Sequence, residues 1–271
     1  MDASVGLLPL PRPLMTAEVL DAAFRLFRAG ILQCLPYSGL AVLVLELPTL
    51  YSTFFGASGG VGFAIPYFTL FSYVVVFLLS VPLLGVMTLR LHALARGERP
   101  RLRTELVAAL KGWPLGLFAT ALAFGYPLLL LWLRPVLLNS MPGTALIFAA
   151  VPVFWPVGLF VVALPAFWCD DLTPGSAFAR SVRLSIRRSW RMFGATLATV
   201  CMVAVFVVLS IVIVYLIMPL FGGVDLYLVA TVQSTLLLVV GAFGVPFVLA
   251  VLIVAYQDLK LREQERREAR A

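Results

Sequence analysis

Charge is what this sequence has least of. Only 12% of its 271 residues are Asp, Glu, Lys or Arg, while 62% are hydrophobic and the mean hydropathy is +1.04. A soluble domain carries about a quarter of its residues as charges. Folded as a water-soluble globule, this chain would have too few polar side chains to cover its surface, so the composition places it in lipid.

Other scarcities exclude whole classes of chemistry. His92 is the one histidine, and Cys34, Cys169 and Cys201 are the three cysteines, with no CxxC among them. An odd cysteine count without paired spacing predicts a reducing compartment and no structural disulfide. His92 with Cys169, Asp170 and Asp171 is the one grouping that raises a metal. Its spacing does not supply three or four placed ligands, so no metal and no cofactor is expected. HExxH, GxSxG and the P-loop are absent, and no carboxylate pair falls inside the apolar runs. No polar segment is long enough to hold a catalytic domain, and the chain reads as non-enzymatic. The opening "MDASVGLLPLPRPL" lacks a basic n-region and a full h-region, so the first long helix is expected to insert uncleaved.

What is abundant is apolar sequence in long runs. Six spans are predicted, at about Ile31–Thr53, Val61–Leu89, Trp113–Leu133, Thr144–Trp168, Phe193–Leu220 and Leu226–Ala255. Each exceeds the roughly 20 residues that cross the hydrocarbon. The turns "FFGASGG", "RPVLLNSMPG" and "FGGVD" join them in hairpins. Proline occurs in every span, Pro82 and Pro246 among them; each removes a backbone hydrogen bond and bends its helix.

The cations fix an orientation. The net charge is +7, and the Lys and Arg residues fall in four clusters. Arg12, Arg25 and Arg28 precede span one. Arg90, Arg96, Arg99, Arg101, Arg103 and Lys111 lie between spans two and three. Arg180, Arg183, Arg187, Arg188 and Arg191 lie between spans four and five. Lys260, Arg262, Arg266, Arg267 and Arg270 follow span six. Only Arg134 lies on an opposite connection. This is the positive-inside pattern, and it predicts cytoplasmic N- and C-termini. It also accounts for the basic pI without nucleic acid, since no soluble domain remains to bind it.

An amphipathic segment precedes each odd-numbered span. In the first, Thr16 is placed to cap, with Leu20, Phe24 and Phe27 opposite Glu18, Asp21 and Arg25. The second is "RTELVAALKGW". The third begins at Thr173-Pro174, a cap followed by proline at the first helical position. In that helix Phe178, Val182, Ile186 and Trp190 share one face, and Arg180, Arg183, Arg187 and Arg191 the opposite one. Ala177, Ser181, Ser185 and Ser189 form a row of small residues between them. Small residues at this spacing admit a neighbouring helix, and an arginine face at the interface suits anionic headgroups. Arg180, Arg183, Arg187, Arg188 and Arg191 are therefore the candidate headgroup-binding residues. Beyond span six, Asp258/Arg262 and Glu263/Arg267 pair at i,i+4, and the tail reads as a solvated helix end. Asp170 and Asp171 are read as favouring the N-terminus of the third segment.

Glu46, in "GLAVLVLELPTL", is the one acid well inside an apolar run. An ionised carboxylate near a helix centre costs on the order of 3 kcal/mol to insert. Arg134 is its natural partner near the outer face, and a role in substrate or proton movement is the functional alternative.

Three stretches resemble a group of uncharacterised bacterial six-span membrane proteins. These are similar to the membrane domain attached to some glycerophosphoryl diester phosphodiesterases. They are "PRPLMTAEVLDAAFRLFRAG", "LPAFWCDDLTPGSAFARSVRLSIRRSWRMFG" and "AYQDLKLREQ". The resemblance implies a helical bundle in the bacterial inner membrane and carries no catalytic residues, because the phosphodiesterase domain is absent.

The expectation is thus an all-α, polytopic bundle over 1–271, with six transmembrane helices and three cytoplasmic interfacial helices. Its expected function is to bind anionic phospholipid, or a membrane protein partner, through the arginine-rich face. The alternative is a transporter or permease subunit using the proline-bent spans and Glu46.

Overall fold

Apolar sequence with so few turn formers should yield long helices, and it does. The computed structural model describes residues 6–55, 65–122, 161–186, 189–217 and 226–270. Among them are eight helices and no strand. The helices are α1 (Thr16–Phe55), α2 (Ile65–Ala95), α3 (Leu102–Lys111), α4 (Trp113–Leu122), α5 (Ala163–Asp170), α6 (Pro174–Ile186), α7 (Ser189–Ile217) and α8 (Leu226–Glu268). Four of these, α1, α2, α7 and α8, contain stretches long and apolar enough to cross a membrane, and α3 with α4 would make a fifth. Most of the third and fourth predicted spans lie outside the described residues, as do residues 56–60, 134–143 and 221–225 of the hairpin turns.

The centre of the fold is α1, which packs chiefly against α8 and α2. Gly30 lets α1 approach α2: a Cβ there would sit 2.7 Å from Leu91 Cδ2. Phe27 meets Phe247 of α8 edge to face, with ring centroids 5.6 Å apart. Leu26, Met87, Leu91, Leu94, Ile253 and Tyr256 are among the most buried side chains. They belong to a core that lies toward the ends of the helices where the cations collect.

Two features differ from the sequence expectation. The first amphipathic segment is not a separate surface helix. Thr16–Phe55 is one helix of 40 residues, and Val19, Ala22, Ala23 and Leu26 of its first turns are core. Its start is also not capped by Thr16. The Glu18 carboxylate accepts the Met15 N–H at 2.6 Å, the return arm of a capping box. The third segment does begin as expected: Thr173 Oγ1 accepts the Ser176 N–H at 3.4 Å, with Pro174 at the first helical position.

The second segment is a distinct helix, because α3 and α4 differ in direction by 71° across Gly112. Trp168 of α5 explains the glycines around this bend. A Cβ on Gly85, Gly112 or Gly116 would lie 2.7–3.0 Å from its indole ring. Gly112 and Gly116 are thus a small-xxx-small pair whose groove an aromatic ring fills.

The α7 helix is the opposite case. Only 17% of its most apolar 18-residue window is buried, and Leu197, Val205, Phe206, Leu209 and Tyr215 are exposed. A face this apolar and this uncovered is compatible with contact to lipid tails.

Candidate anionic-ligand site

Every ion pair formed among the described residues belongs to one of the four basic clusters, and the pairs are of two kinds. The first kind is buried. Asp258, whose side chain is 2% exposed, sits in α8 where the apolar run gives way to the tail. Arg262 Nε lies 3.0 Å from both of its oxygens, and Arg191 Nη2 from α7 lies 3.6 Å from Oδ2. The Leu14 N–H donates to Asp258 Oδ1 at 2.8 Å, while the Leu14 carbonyl accepts from Arg262 Nη2 at 2.6 Å. One carboxylate therefore ties the N-terminal segment, α7 and α8 together. The part of the tail read as solvated begins with a buried acid.

Asp170 is the second such centre. It accepts hydrogen bonds from Tyr256 Oη at 2.6 Å and from Lys260 Nζ at 3.0 and 3.1 Å, and Arg180 Nη1 stands 3.3 Å away. Burial opposes its ionisation. The hydrogen bonds from Tyr256 and Lys260 and the charges of Lys260 and Arg180 outweigh that and hold the carboxyl below its ordinary pKa. Asp170 thus joins α5, α6 and α8, in place of the expected role at the start of α6. Asp171 closes α5 in the left-handed conformation at φ 49°.

The third is Glu105 of α3. It pairs with Arg90 of α2 at 3.1 Å, both side chains nearly buried, and Arg90 also donates to the Gln33 carbonyl of α1 at 2.9 Å. The Tyr37 ring lies 5.5 Å from the same guanidinium.

The second kind of cluster is open. Between α6 and the end of α8 runs a groove of about 340 Å³. Arg183, Arg262, Arg266, Arg267 and Arg270 line it, with Glu263 as the one carboxylate and Leu184, Ile186 and Leu259 as its apolar part. Arg267 lies 2.6 Å and Arg183 3.8 Å from Glu263 Oε1. Arg266 and Arg270 form no ion pair among the described residues. Arg262 is already held by Asp258, and the other four guanidiniums share one carboxylate, which leaves excess positive charge on groups whose fork geometry suits phosphate or carboxylate oxygens.

Of the five candidate residues on the α6–α7 connection, the groove takes Arg183. Arg180 and Arg191 lie on the buried acids, and Arg187 and Arg188 fall outside the described residues. Arg262, Arg266, Arg267 and Arg270 complete the lining. The i, i+4 and i+5 spacing of Arg262, Arg266 and Arg267 on α8, with Arg270 in the turn that follows, is a signal present in the sequence. The α6 helix packs through its small row, since Ala177, Ser181 and Ser185 are fully buried, and it leaves Ile186 exposed, as is Trp190 at the start of α7. Glu46 lies within α1, but its side chain and the whole of Arg134 are outside the described residues. Cys34, Cys169 and Cys201 are free thiols. Among the described residues no group of three His, Cys, Asp or Glu side chains is placed to hold a metal.

What the fold defines is a class: an all-helical chain with several helices compatible with crossing a membrane and a charged end joined through buried acids. No family model, no curated protein and no solved structure matches it.

Proposed function

We propose that this chain is a non-enzymatic integral membrane protein that binds anionic phospholipid headgroups at its arginine-rich end. The observation that carries the proposal is the groove between α6 and α8, where Glu263 is the one carboxylate in the lining and Arg266 and Arg270 form no ion pair among the described residues. Phosphate oxygens satisfy such donors, and an apolar floor beside them matches the join of headgroup and chain.

The positive-inside distribution puts this end at the cytoplasmic leaflet, with six spans and both termini inside. The resemblance to the six-span bacterial group fits the same picture and supplies an inner-membrane location without an active site. The transporter alternative rests on Glu46 and the bent spans. The lipid reading is preferred because Arg183 and the arginines at the end of α8 line one groove.

The test is native mass spectrometry of the full-length protein extracted without delipidation. Anionic phospholipid is expected to copurify, and the double variant Arg266→Gln/Arg270→Gln to lose most of it. Retention equal to wild type in that variant would sink the proposal. A protein partner recovered at fixed stoichiometry in place of lipid would move the function to that partner.

A further inference from the structure

A second groove lies further back along α8. Upstream of Leu259 and Arg262, the residues Val248, Val251, Leu252 and Ala255 hold steps of three and four, so they stand on the same side of the helix. Beside them the opposite wall changes from α6 to α7. The lining there is apolar, with Met192, Ala195, Val200 and Ala204 facing α8 across a groove of about 430 Å³. One face of α8 is therefore a track, apolar along α7 and cationic along α6.

We infer that a single anionic phospholipid occupies both grooves, with an acyl chain between α7 and α8 and the phosphate among Arg183, Arg266 and Arg270. This rests on the lipid reading above and gives it a stoichiometry and a pose. The dimensions agree. Val248 to Leu259 rises about 16 Å at ~1.5 Å per residue, close to the roughly 15 Å of hydrocarbon in one leaflet. The first cation of α8 to line the groove, Arg262, stands less than one turn beyond Leu259. A soluble acidic peptide fits only the cationic half. In the apolar half its backbone N–H and C=O groups would meet Val, Ala and Met side chains and stay unpaired.

The physics sets the size of the effect. A chain entering the α7–α8 groove leaves other lipid tails that are equally apolar, so the gain is close packing and not removal from water. Occupancy of the apolar groove should therefore tune affinity by several-fold, while loss of the arginines should remove most of it.

The probes are long-chain phosphatidylglycerol and free glycerol phosphate, added to full-length protein in phosphatidylcholine nanodiscs. Val200 and Ala204 are exposed positions on the groove wall, so Val200→Phe/Ala204→Phe fills it without disturbing the core. That variant is expected to bind phosphatidylglycerol about five-fold more weakly, equivalent to ~1 kcal/mol. It should bind glycerol phosphate as wild type does. Arg266→Gln/Arg270→Gln should weaken both. Wild-type binding of phosphatidylglycerol by the filled variant, with loss in the arginine variant, overturns the shared-lipid pose and leaves the headgroup reading standing. Unchanged binding in the arginine variant overturns both. A measurement free of mutation gives the same decision: on wild-type protein, short-chain phosphatidylglycerol should bind more weakly than long-chain, and equal binding excludes the chain groove.

Discussion

Two sets of arginines meet α8, and they differ in what surrounds them. Arg191 and Arg262 reach Asp258, a carboxylate with 2% of its side chain exposed, and Arg180 reaches Asp170. Arg266 stands a few residues further along the same helix and Arg270 just beyond its end, on a groove with one shared acid. In the first set each guanidinium has a carboxylate within 4 Å, and the pairing joins segments far apart in sequence. In the second the charges outnumber their partners and join nothing within the chain. Residues of one type, all read alike as markers of membrane sidedness, thus divide into those that hold the fold and those placed to hold something else.

The sharpest way to break that division is at Asp258. Asp258→Ala removes the acid that pairs with both Arg191 and Arg262, and it strips the Leu14 N–H of its acceptor. Leaving buried charge without a partner typically costs about 3–5 kcal/mol. The variant should show a large fall in thermal midpoint in detergent, and faster proteolysis of residues 6–14 than of the core. A midpoint within experimental error of wild type would mean that Asp258 is no structural centre.

Asp170 gives a smaller and pH-dependent effect. Its folded pKa is depressed, so its contribution is complete above the unfolded value, about pH 4. It drains as pH falls through the lower folded value. Tyr256→Phe deletes one of the hydrogen bonds that stabilise the ionised form, at a cost of about 1.5–3 kcal/mol for a bond to a charged group. This variant should be less stable at neutral pH, and the difference from wild type should shrink as the solution is acidified below about pH 4. Unfolding curves at a series of pH values check it. A difference that stays constant into strong acid would show that the hydroxyl acts independently of the carboxylate.

The sequence carried the helical class, the long apolar stretches of α1, α2, α7 and α8, and the cap at Thr173. These depend on local composition and on the chemistry of one turn, and both are written in neighbouring residues. The bend at Gly112 was partly legible, since an amphipathic segment followed by an apolar one implies a change of direction. The continuity of α1 was not. Whether Thr16–Gly30 lies on a surface or enters the core depends on what covers it, and its cover is α8, more than two hundred residues away. The roles of Asp170 and Asp258 were hidden for the same reason. Each looks local, one before a helix and one at i,i+4 from an arginine, and each is fixed by partners on other helices. The Trp168 site left one trace, the spacing of Gly112 and Gly116, but a glycine pair names no partner. The arginines of the groove could have been grouped from their positions on α8. What periodicity could not say is that α6 would stand opposite them.

The smallest effect sharpens the comparison from the other side. Arg266 and Arg270 have no ion pair among the described residues, so replacing them breaks none. In Arg266→Gln/Arg270→Gln the stems still cover the apolar floor near Leu259, and the long amide side chain is a good helix former. Surface substitutions of this kind fall within about ±0.5 kcal/mol. Removing like charge from a groove lined by five guanidiniums offsets the small loss of hydration, so the thermal midpoint of delipidated protein should match wild type. The same variant should lose the stabilisation that added phosphatidylglycerol confers on wild type, because a ligand stabilises only the state that binds it. If delipidated Arg266→Gln/Arg270→Gln instead unfolds as readily as Asp258→Ala, the two sets of arginines are one structural network, and the groove is part of the fold with no charge to offer a ligand.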